Sequence, residues 1–388
     1  MPYFPQPYTQ YGGVWNLTSQ SQAQGAGTWA TPPQPHLYSW GLNNYGQLGL
    51  GNNTYYSSPV QVGSLANWKY IVGGQASFSA IKTDGTLWGW GKNDGGQLGI
   101  GTATNYSSPK QVGSLTNWKS INAGYATGIA TKTDGTLWTW GVNNYGQLGI
   151  GNTTYYSSPK QVGALTNWLN VAAGYFHCLA IKTDGTLWSW GNNQYGQLGL
   201  SNTTYYSSPK QVGSLTNWSS VNGGSYCSVA IKTDGSLWGW GQNTNGQLGL
   251  GNTTNYSSPK QIGLLTTWKS ISIQTTSSLA IKTDGTLWAW GQNNGNLGLG
   301  NQTNYSSPKQ VGALTNWAIV QTAFSTLFNH TFAIKTDGTL WSWGRNDSYG
   351  DLGLGNLTNY SSPKQVGSLT SWVNIASSAV SGLAIAKF

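Results

Sequence analysis

The chain has 388 residues, only 7% of them charged, and its 18 Lys and Arg exceed its 9 acidic residues, giving a net charge of +9. All nine acidic residues are Asp, and a chain without Glu and poor in Lys and Arg is not expected to form many helices. The 55 Gly and 22 Trp favour short strands and tight turns, while two Cys are too few for a disulfide framework or a zinc ribbon.

Residues 1–35 are rich in Pro, Gln and Gly, and this composition predicts an extended segment that does not fold by itself. Its first 13 residues lack the basic residues and the apolar core of a secretory signal, so we expect no signal peptide. Large aromatic side chains are typical anchors that become ordered on a partner. We therefore interpret residues 1–35 as a docking arm with the candidate contact residues Tyr3, Phe4, Tyr8, Tyr11, Trp15 and Trp29.

From His36 onward the sequence repeats itself about every 50 residues. One unit reads WGxNxxGQLGxGNxTxYSSPKQVGxLTNW, continues through a variable stretch and ends in LAIKTDGTLW. Self-similarity at this period is the mark of a repeat architecture, in which each unit packs on its neighbours. The Trp-Gly pairs of the units begin at Trp40, Trp90, Trp140, Trp190, Trp240, Trp290 and Trp343.

Each unit contains the pattern of four short strands. The residues from Leu179 to Trp190 form two apolar runs around Asp184-Gly185, and Asp-Gly is a strong hairpin signal because both turn residues need positive φ. Residues 160–162 and 168–171 supply two more short strands, and Pro159 fits the start of an edge strand. Four short strands per unit, repeated seven times, predict a β-propeller.

The ends of the repeat region are complementary. The first copy begins at His36 without its LAIKTDG half, and the last copy ends at Phe388 without its TLWxW half. Pairing the two halves would complete one hairpin and remove two sheet edges, whereas an open array would need polar caps that the sequence lacks. We predict an all-β fold, a closed seven-bladed propeller over 36–388 whose ring closes through a shared hairpin, preceded by the extended arm 1–35.

The string WGxNxxGQLGxG, together with His177-Cys178-Leu179-Ala180 upstream of Thr183-Asp184-Gly185, resembles the regulator of chromosome condensation repeat. The resemblance covers about nine tenths of the chain and implies a propeller that uses one face as a binding platform. Members include an exchange factor for the Ran GTPase and an inhibitor of beta-lactamase, and this chain lacks the exchange factor's inserted wedge, acidic cluster and basic tail. The nearly identical copies resemble recently amplified repeats of bacterial and phage proteins, and the arm resembles leader arms of propeller proteins in tailed phages.

Catalytic chemistry has no candidate residues in this sequence. Six of the nine Asp lie in the Asp-Gly turns, and His36, His177 and His330 lie in different copies without metal-ligand spacing. Cys178 and Cys227 are expected to be small buried thiols, with a disulfide or a catalytic thiol as the alternative. We therefore predict a protein that is not an enzyme and has no catalytic residues, no cofactor and no bound metal.

Phosphate and nucleic-acid binding are not expected either. The GQLGxG runs lack the Lys-Ser/Thr of a phosphate loop and the following helix of a dinucleotide site, so their glycines are interpreted as turn residues. Six Lys in KTDG and six in SSPKQ spread charge around the ring instead of clustering it, which favours solvated lysines that protect strand edges. No apolar run is long enough for a membrane span, so we expect no membrane insertion.

Binding residues are expected where the copies differ, because loops of a repeat scaffold carry function. One variable region precedes the LAIK strand and comprises Gly74–Phe78, Gly124–Gly128, Gly174–Cys178, Gly223–Cys227, Gln274–Ser278, Thr322–Thr331 and Ser377–Gly382. The other is the WGxN loop, and Tyr also alternates with Asn further along that loop. Tyr with Asn suits adaptable polar recognition or stacking on sugar rings, and neutral variation is the alternative. The candidate face residues are Tyr45, Tyr145, Tyr195, Phe324, Phe328, His330, Arg345 and Tyr349.

These expectations combine into a non-enzymatic structural protein of a tailed-phage virion. The arm is expected to bind other virion proteins, and the propeller to be displayed on the tail, fibre or capsid, where it binds a host-surface protein or glycan. Assembly in the host cytoplasm would place the protein in the virion. The alternatives are a soluble regulator or inhibitor that grips one protein partner through a propeller face, and an enzyme or lectin-like sugar binder.

Overall fold

Each repeat folds into a four-stranded antiparallel sheet, or blade, in the computed structural model, which describes residues 33–323, 329–346 and 348–388. The innermost strand of each blade begins at the Trp that ends the LTNW segment and contacts the innermost strands of both neighbouring blades. In chain order the innermost strands are β3 (Trp68–Gly73), β7 (Trp118–Ala123), β11 (Trp168–Ala173), β15 (Trp218–Gly223), β19 (Trp268–Ile273), β23 (Trp317–Thr322) and β27 (Trp372–Ser377). Because β27 also contacts β3, the seven strands enclose the axis as a ring.

The second and third strands of a blade are the predicted hairpin around the Asp-Gly turn. The second strands are β4 (Ser77–Lys82), β8 (Thr127–Lys132), β12 (His177–Lys182), β16 (Cys227–Lys232), β20 (Ser277–Lys282), β24 (His330–Lys335) and β28 (Ser381–Lys387). The third strands are β1 (Pro35–Gly41), β5 (Leu87–Gly91), β9 (Leu137–Gly141), β13 (Leu187–Gly191), β17 (Leu237–Gly241), β21 (Leu287–Gly291) and β25 (Leu340–Gly344). The second strands are buried on both sides, which explains their continuous apolar sequence.

The outer strand of each blade is longer than the sequence pattern predicts. Pro159 lies inside strand β10 (Tyr156–Gln161) and not before it, next to a shift of register against β9 between Tyr156 and Lys160. An outer strand tolerates Pro because its free edge needs no N–H donor. The other outer strands are β2 (Tyr56–Gln61), β6 (Tyr106–Gln111), β14 (Tyr206–Gln211), β18 (Tyr256–Gln261), β22 (Tyr305–Gln310) and β26 (Tyr360–Gln365).

The ring closes through a blade that both ends of the repeat region share, as predicted. Strand β1 pairs with β28 from Pro35–Lys387 to Gly41–Ser381, and the sheet order is β2-β1-β28-β27. In this register Leu37 faces Ile385 as Leu187 faces Ile181 in a complete blade. The interruption of the sheet therefore falls where the other blades have their Asp-Gly turn. We number this shared blade 1 and the blades that begin with β3, β7, β11, β15, β19 and β23 as 2 to 7.

Tryptophan packing between blades forms the core, as the repeat predicts. The second Trp of every LWxW segment is fully buried, and it packs with the innermost Trp of its own blade and with apolar side chains of the blade before it. In blade 4, Trp190 contacts Trp168 in its own blade and Ile129 and Leu137 in blade 3. Its indole N–H donates to the Gln147 carbonyl oxygen at 2.9 Å, which ties blade 4 to the loop of blade 3.

The strand directions separate two kinds of connection onto two faces of the ring. The link from first to second strand (residues 174–176 in blade 4) and the link from third to outer strand (192–205) lie on one face, called the variable face. The Asp-Gly turns (183–186) and the links between blades (212–217) lie on the other, called the turn face. Among the residues described, there is no helix long and apolar enough to span a bilayer.

Candidate functional site

The variable face carries both regions in which the sequence copies differ. The two regions are also joined physically, since the Asn192 backbone N–H donates to the Phe176 carbonyl oxygen at 2.8 Å. The turn face varies little between blades, with KTDG turns in blades 2 to 7 and links similar to LTNW throughout. The sequence differences between the copies are therefore concentrated on the variable face.

A buried Asn holds each long loop of the variable face in shape. Asn193 donates through Nδ2 to the carbonyl oxygens of Asn202 and Thr204, both at 3.0 Å, and accepts from the Leu198 N–H at 2.9 Å. Gly196 has φ +81° and lies against Ser257 of the next blade, where a side chain would collide with the backbone. The WGxN and GQLG motifs thus fix the backbone of the loop, and the loop tyrosines project from this fixed backbone.

Seven aromatic side chains form a continuous cluster on the variable face of blades 3 to 5. We call the cluster the aromatic patch; it comprises Tyr125, Tyr145, Tyr175, Phe176, Tyr195, Tyr205 and Tyr226. Ring centroids are separated by 3.9 Å for Tyr125–Tyr175, 4.7 Å for Tyr175–Phe176, 5.0 Å for Tyr145–Phe176, 5.3 Å for Tyr195–Tyr226, 5.7 Å for Tyr145–Tyr205 and 6.1 Å for Tyr175–Tyr226. Every contact links different segments of the chain except Tyr175–Phe176.

The aromatic patch is partly exposed and uncharged. Tyr205 is 43% exposed, and the other six rings are intermediate in exposure. The segments that supply the rings, 123–126, 142–155, 173–176, 192–205 and 223–226, contain no charged residue. Burial raises the pKa of Tyr175, and the neighbouring Tyr125 raises it further, so the phenol stays neutral. Burial likewise raises the pKa of Tyr226.

The predicted face residues divide between the patch and other parts of the same face. Tyr145 and Tyr195 belong to the patch. Tyr45 lies beside Lys92, whose ammonium is 5.3 Å from the ring centroid. Lys92 in turn pairs with Asp94 at 3.2 Å. The face thus carries charge in blade 2 and neutral aromatic surface in blades 3 to 5.

The remaining predicted face residues lie near the shared blade. Tyr349 packs edge-on against Tyr55 at 6.0 Å and against the buried Leu42. The backbone N–H of Arg345 donates to the Asn329 carbonyl oxygen at 3.0 Å. His330 is fully buried in β24, and its Nε2 lies 2.9 Å from Ser377 Oγ. The expectation that His330 lies at the surface of a face is therefore corrected, because the ring fills the interface between blades 7 and 1.

Several predicted site residues lie outside the described residues, so their predicted roles stay predictions. They are the arm residues Tyr3, Phe4, Tyr8, Tyr11, Trp15 and Trp29 and the two insertion residues Phe324 and Phe328.

Five of the seven members of the patch were not among the candidate face residues: Tyr205, which belongs to the Tyr/Asn alternation, and four others. Tyr125, Tyr175, Phe176 and Tyr226 all lie in the first variable region, which was recognised as a range without its aromatic residues being selected. The signal was present, because other copies have Gln, Ala, Ser or Thr at these positions. What the sequence does not display is that residues about 50 apart stack on one another.

The Tyr/Asn alternation has a structural cause at its Asn copies. Asn255 accepts from the Asn243 backbone N–H at 2.7 Å and so fastens its own loop. In the equivalent position of blade 4, Tyr205 instead points to the surface and joins the patch. The alternation therefore exchanges a loop contact for exposed aromatic surface.

The two sets of lysines differ, which corrects the expectation that all are solvated. Lys182 is 6% exposed, and its ammonium lies 4.9 Å from the Trp168 ring centroid and 3.7 Å from that of Trp188. The other five KTDG lysines occupy the same position in their blades. Burial lowers the pKa of Lys182 despite the nearby Asp184. These lysines stabilise the blades by cation–π contact, and the SSPKQ lysines are the exposed ones.

Both cysteines are free and buried, as expected. Burial raises the pKa of Cys178, and it raises that of Cys227 to about 12. Neither thiol lies at the surface. In the described part of the chain, no three His, Cys, Asp or Glu side chains cluster as metal ligands would.

Grooves also recur at the rim between adjacent blades, with volumes of 230 to 380 Å³. The groove between blades 3 and 4 is lined by Leu165, Trp168, Trp188 and Pro209. The same residue types line the others. Because equivalent grooves recur with the repeat, they do not mark any one blade as a candidate binding site.

Buried His177 gives the fold an acid-sensitive position. Its Nε2 lies 2.9 Å from Ser228 Oγ, and that hydroxyl donates to the Gln197 carbonyl oxygen, so Nε2 carries the proton. The buried Nδ1 has no hydrogen-bond partner among the described residues. Burial lowers the pKa of His177 to about 3, well below the usual value for histidine.

We expect His177→Ser to make stability less dependent on pH between about 6.5 and 4. In this range the unfolded chain binds a proton at residue 177 that the folded chain does not, so stability falls as pH falls, by about 2 to 3 kcal/mol at pH 4.5. Serine is the residue at the equivalent positions 77 and 277. Thermal unfolding at pH 7 and pH 4.5 measures the effect. An equal loss of stability on acidification in both proteins would contradict the prediction.

Comparison with known proteins gives one family and several structures. The profile described as "Regulator of chromosome condensation (RCC1) repeat" matches residues 36–81, 84–130, 134–181, 184–231, 234–281, 284–334 and 337–385. A second profile of the same description matches residues 118–147, 168–197 and 218–247. The search of curated proteins found no match.

Among solved structures, human WBSCR16 is 21% identical, with a TM-score of 0.80 over 91% of this chain and 99% of that one. Prp20p from Saccharomyces cerevisiae, which is described as binding Gsp1p and histones, is 20% identical. Its TM-score is 0.81 over 92% of this chain and 93% of that one. Yeast RCC1 (Prp20) bound to Kap60 is 18% identical, with a TM-score of 0.81 over 99% and 97%. At these identities the likeness concerns the fold.

Proposed function

The chain belongs to the regulator of chromosome condensation (RCC1) repeat family, and from this premise we propose that it is a non-enzymatic structural protein of a tailed-phage virion whose propeller binds the host surface. The observation that carries the proposal is the division of the ring into a variable face and a uniform turn face. A scaffold that holds sequence constant on one side and varies it on the other is suited to display. The virion is accordingly the proposed location.

The described ring begins at Pro35. Strand β1 begins at Pro35 on the turn face, opposite Lys387, and ends at Gly41 on the variable face. We propose that the aromatic, Pro-rich segment 1–35 binds other virion proteins and that the variable face contacts the host.

The absence of enzyme activity is part of the proposal. The Asp of each Asp-Gly turn is engaged locally: Asp184 accepts from the Thr186 N–H at 2.9 Å and from the Thr186 hydroxyl at 2.6 Å. These hydrogen bonds lower the pKa of Asp184, so it is a poor general acid or base near neutral pH. The turns therefore serve the fold.

The docking arm is tested by changing Tyr3, Phe4, Tyr8, Tyr11, Trp15 and Trp29 together to Ser. We expect the amount of the protein in purified particles to fall at least about tenfold, because a loss of about 1.4 kcal/mol of binding free energy already has that effect. Mass spectrometry of the particles measures incorporation, and circular dichroism checks that the propeller is folded. As a matched control, Tyr45→Asn and Tyr55→Asn should leave incorporation unchanged. Unchanged incorporation of the arm variant would overturn the docking role.

A soluble regulator or inhibitor that binds one protein partner is the second candidate. It is favoured by the likeness to Prp20p, a propeller described as binding Gsp1p and histones. The two candidates differ in where the protein is found. If purified particles lack the protein, while affinity capture recovers a single enzyme or GTPase whose activity changes on binding, the second candidate replaces the first.

A further inference from the structure

We propose that the aromatic patch of blades 3 to 5 binds a neutral oligosaccharide of the host surface. The inference rests on the proposed host-binding function and names its ligand class. It starts from the asymmetry of the ring: the variable face of blade 6 has Thr275, Thr276 and Asn304 where blade 4 has Tyr175, Phe176 and Tyr205. One sector of an otherwise repetitive face is thus specialised.

The chemistry of the patch fits sugar rings. The C–H faces of a pyranose are apolar and pack on the faces of aromatic rings, while its hydroxyls need donors and acceptors around the edge. The tyrosines supply both ring faces and phenol hydroxyls. Exposed amide and hydroxyl side chains at the border, Asn144, Gln194 and Thr244, supply further polar groups.

Charge decides between ligand classes. The five segments that form the patch contain no Lys, Arg, Asp or Glu. A nucleic acid or an acidic glycan would require cations at the contact surface. On this face Lys92 lies in blade 2, paired with Asp94, and Arg345 lies in blade 7, both outside the patch. A neutral ligand is therefore favoured.

The extent of the patch indicates more than one sugar unit. Six of its seven rings form a connected series from Tyr205 through Tyr145, Phe176 and Tyr175 to Tyr226 and Tyr195, with neighbouring centroids 4.7 to 6.1 Å apart. The seventh, Tyr125, stacks on Tyr175 at 3.9 Å. The series crosses three blades. The loops that carry it are fixed by buried Asn and Gly, so little order has to be gained on binding.

The repeat itself supplies the variant that tests the site. Tyr175→Ser and Phe176→Ala place in blade 4 residues that blades 5 and 3 carry at the same positions, and Tyr226→Thr copies blade 6. The scaffold accommodates these residues elsewhere. Tyr55→Asn is the matched control, because it removes an exposed tyrosine of the same face outside the patch and places there the residue that blade 2 carries.

The experiment applies the full-length protein to an array of neutral hexose and N-acetylhexosamine oligosaccharides together with sialylated and sulfated ones. We expect binding to neutral oligosaccharides, a loss of at least about tenfold in affinity for the triple patch variant, and unchanged affinity for the control. The absence of neutral hits, equal binding by the patch variant, or binding to anionic glycans alone would overturn the proposal.

Host cells treated with periodate separate this inference from the function on which it rests. Periodate destroys vicinal diols of sugars, so loss of cell binding after treatment supports the glycan. Binding that survives treatment but is lost in the patch variant identifies a protein receptor, which overturns the glycan and leaves host binding intact. If neither the full-length protein nor particles carrying it bind host cells, the proposed function itself fails, whatever the array shows.

Discussion

Removal of residues 381–388 should leave no cooperatively folded propeller. These residues form β28, which pairs with β27 on one side and with β1 on the other, so two ladders of blade 1 are lost together. Leu383 and Ile385 are fully buried, and the loss of each such side chain costs about 2 to 5 kcal/mol. Together these losses are comparable to the whole stability of a domain, about 5 to 15 kcal/mol.

Thermal unfolding followed by near-ultraviolet circular dichroism and by sedimentation checks the truncation. The expected result is the absence of a sharp transition, with aggregation through the exposed edges of β1 and β27. A sharp transition at the temperature of the full chain would mean that the ring is stable when open.

A permuted chain is the matched control for this truncation. In the register of blade 1, Ala386 corresponds to Lys182 and Leu37 to Leu187 of blade 4. A Thr-Asp-Gly-Thr linker from Ala386 to Leu37 would therefore restore the turn of the other blades, and new ends can be opened between Lys182 and Leu187. We expect this chain to unfold as cooperatively as the original, because the pairing and not the position of the ends closes the ring.

Closure could be predicted from sequence because the signals are local and periodic. Gly185 specifies its turn through its left-handed conformation, with φ +77°; Asp184 has no positive φ, so the expectation that both turn residues need one is corrected. The half-unit that begins at His36 and the half-unit that ends at Phe388 then pair as the two strands of one hairpin. Local chemistry repeated seven times leaves little freedom for any other arrangement.

The errors concern residues whose burial is produced by side chains of other strands, in the same blade for Lys182 and in the next blade for His330. Lys182 looks like a surface lysine in the sequence, but Trp168 and Trp188 enclose it. In the sequence His330 looks like part of a surface insertion, but in the structure it is buried and its ring lies within hydrogen-bond distance of Ser377 in blade 1. Burial at these positions depends on how side chains of paired strands and of adjacent sheets pack, and periodicity alone does not show that.

The aromatic patch shows the same limit in the functional site. Variation between copies marked the face on which the patch lies, because the constant residues are those that the fold requires. It could not show that Tyr125 stacks on Tyr175 from the next copy at 3.9 Å. Side chains of three units become one site only when the twist of the ring brings them together.

Trp190→Ala should lower the free energy of unfolding by about 3 to 5 kcal/mol, the largest effect expected of a single substitution in the ring. Trp190 is fully buried between blades 3 and 4. Removing its indole leaves a cavity, and blades 3 and 4 cannot approach each other to close it because each is also held by its other neighbour in the ring. Trp190→Phe separates the two contributions: it keeps most of the volume and loses the 2.9 Å hydrogen bond to Gln147, which leaves that buried carbonyl without its donor at a cost of about 1 to 3 kcal/mol.

Trp188→Ala is the control for this series, because Trp188 is only partly buried and its N–H bonds within its own blade, to Thr186 at 2.9 Å. Denaturant titration should rank the losses as Trp190→Ala, then Trp190→Phe, with Trp188→Ala below Trp190→Ala. Each variant should unfold in one transition, since a weakened interface in a closed ring is still bridged by the other six. Equal losses for Trp188→Ala and Trp190→Ala would mean that contact with the neighbouring blade adds nothing to stability, and a separate early transition for blade 4 would mean that the blades unfold independently.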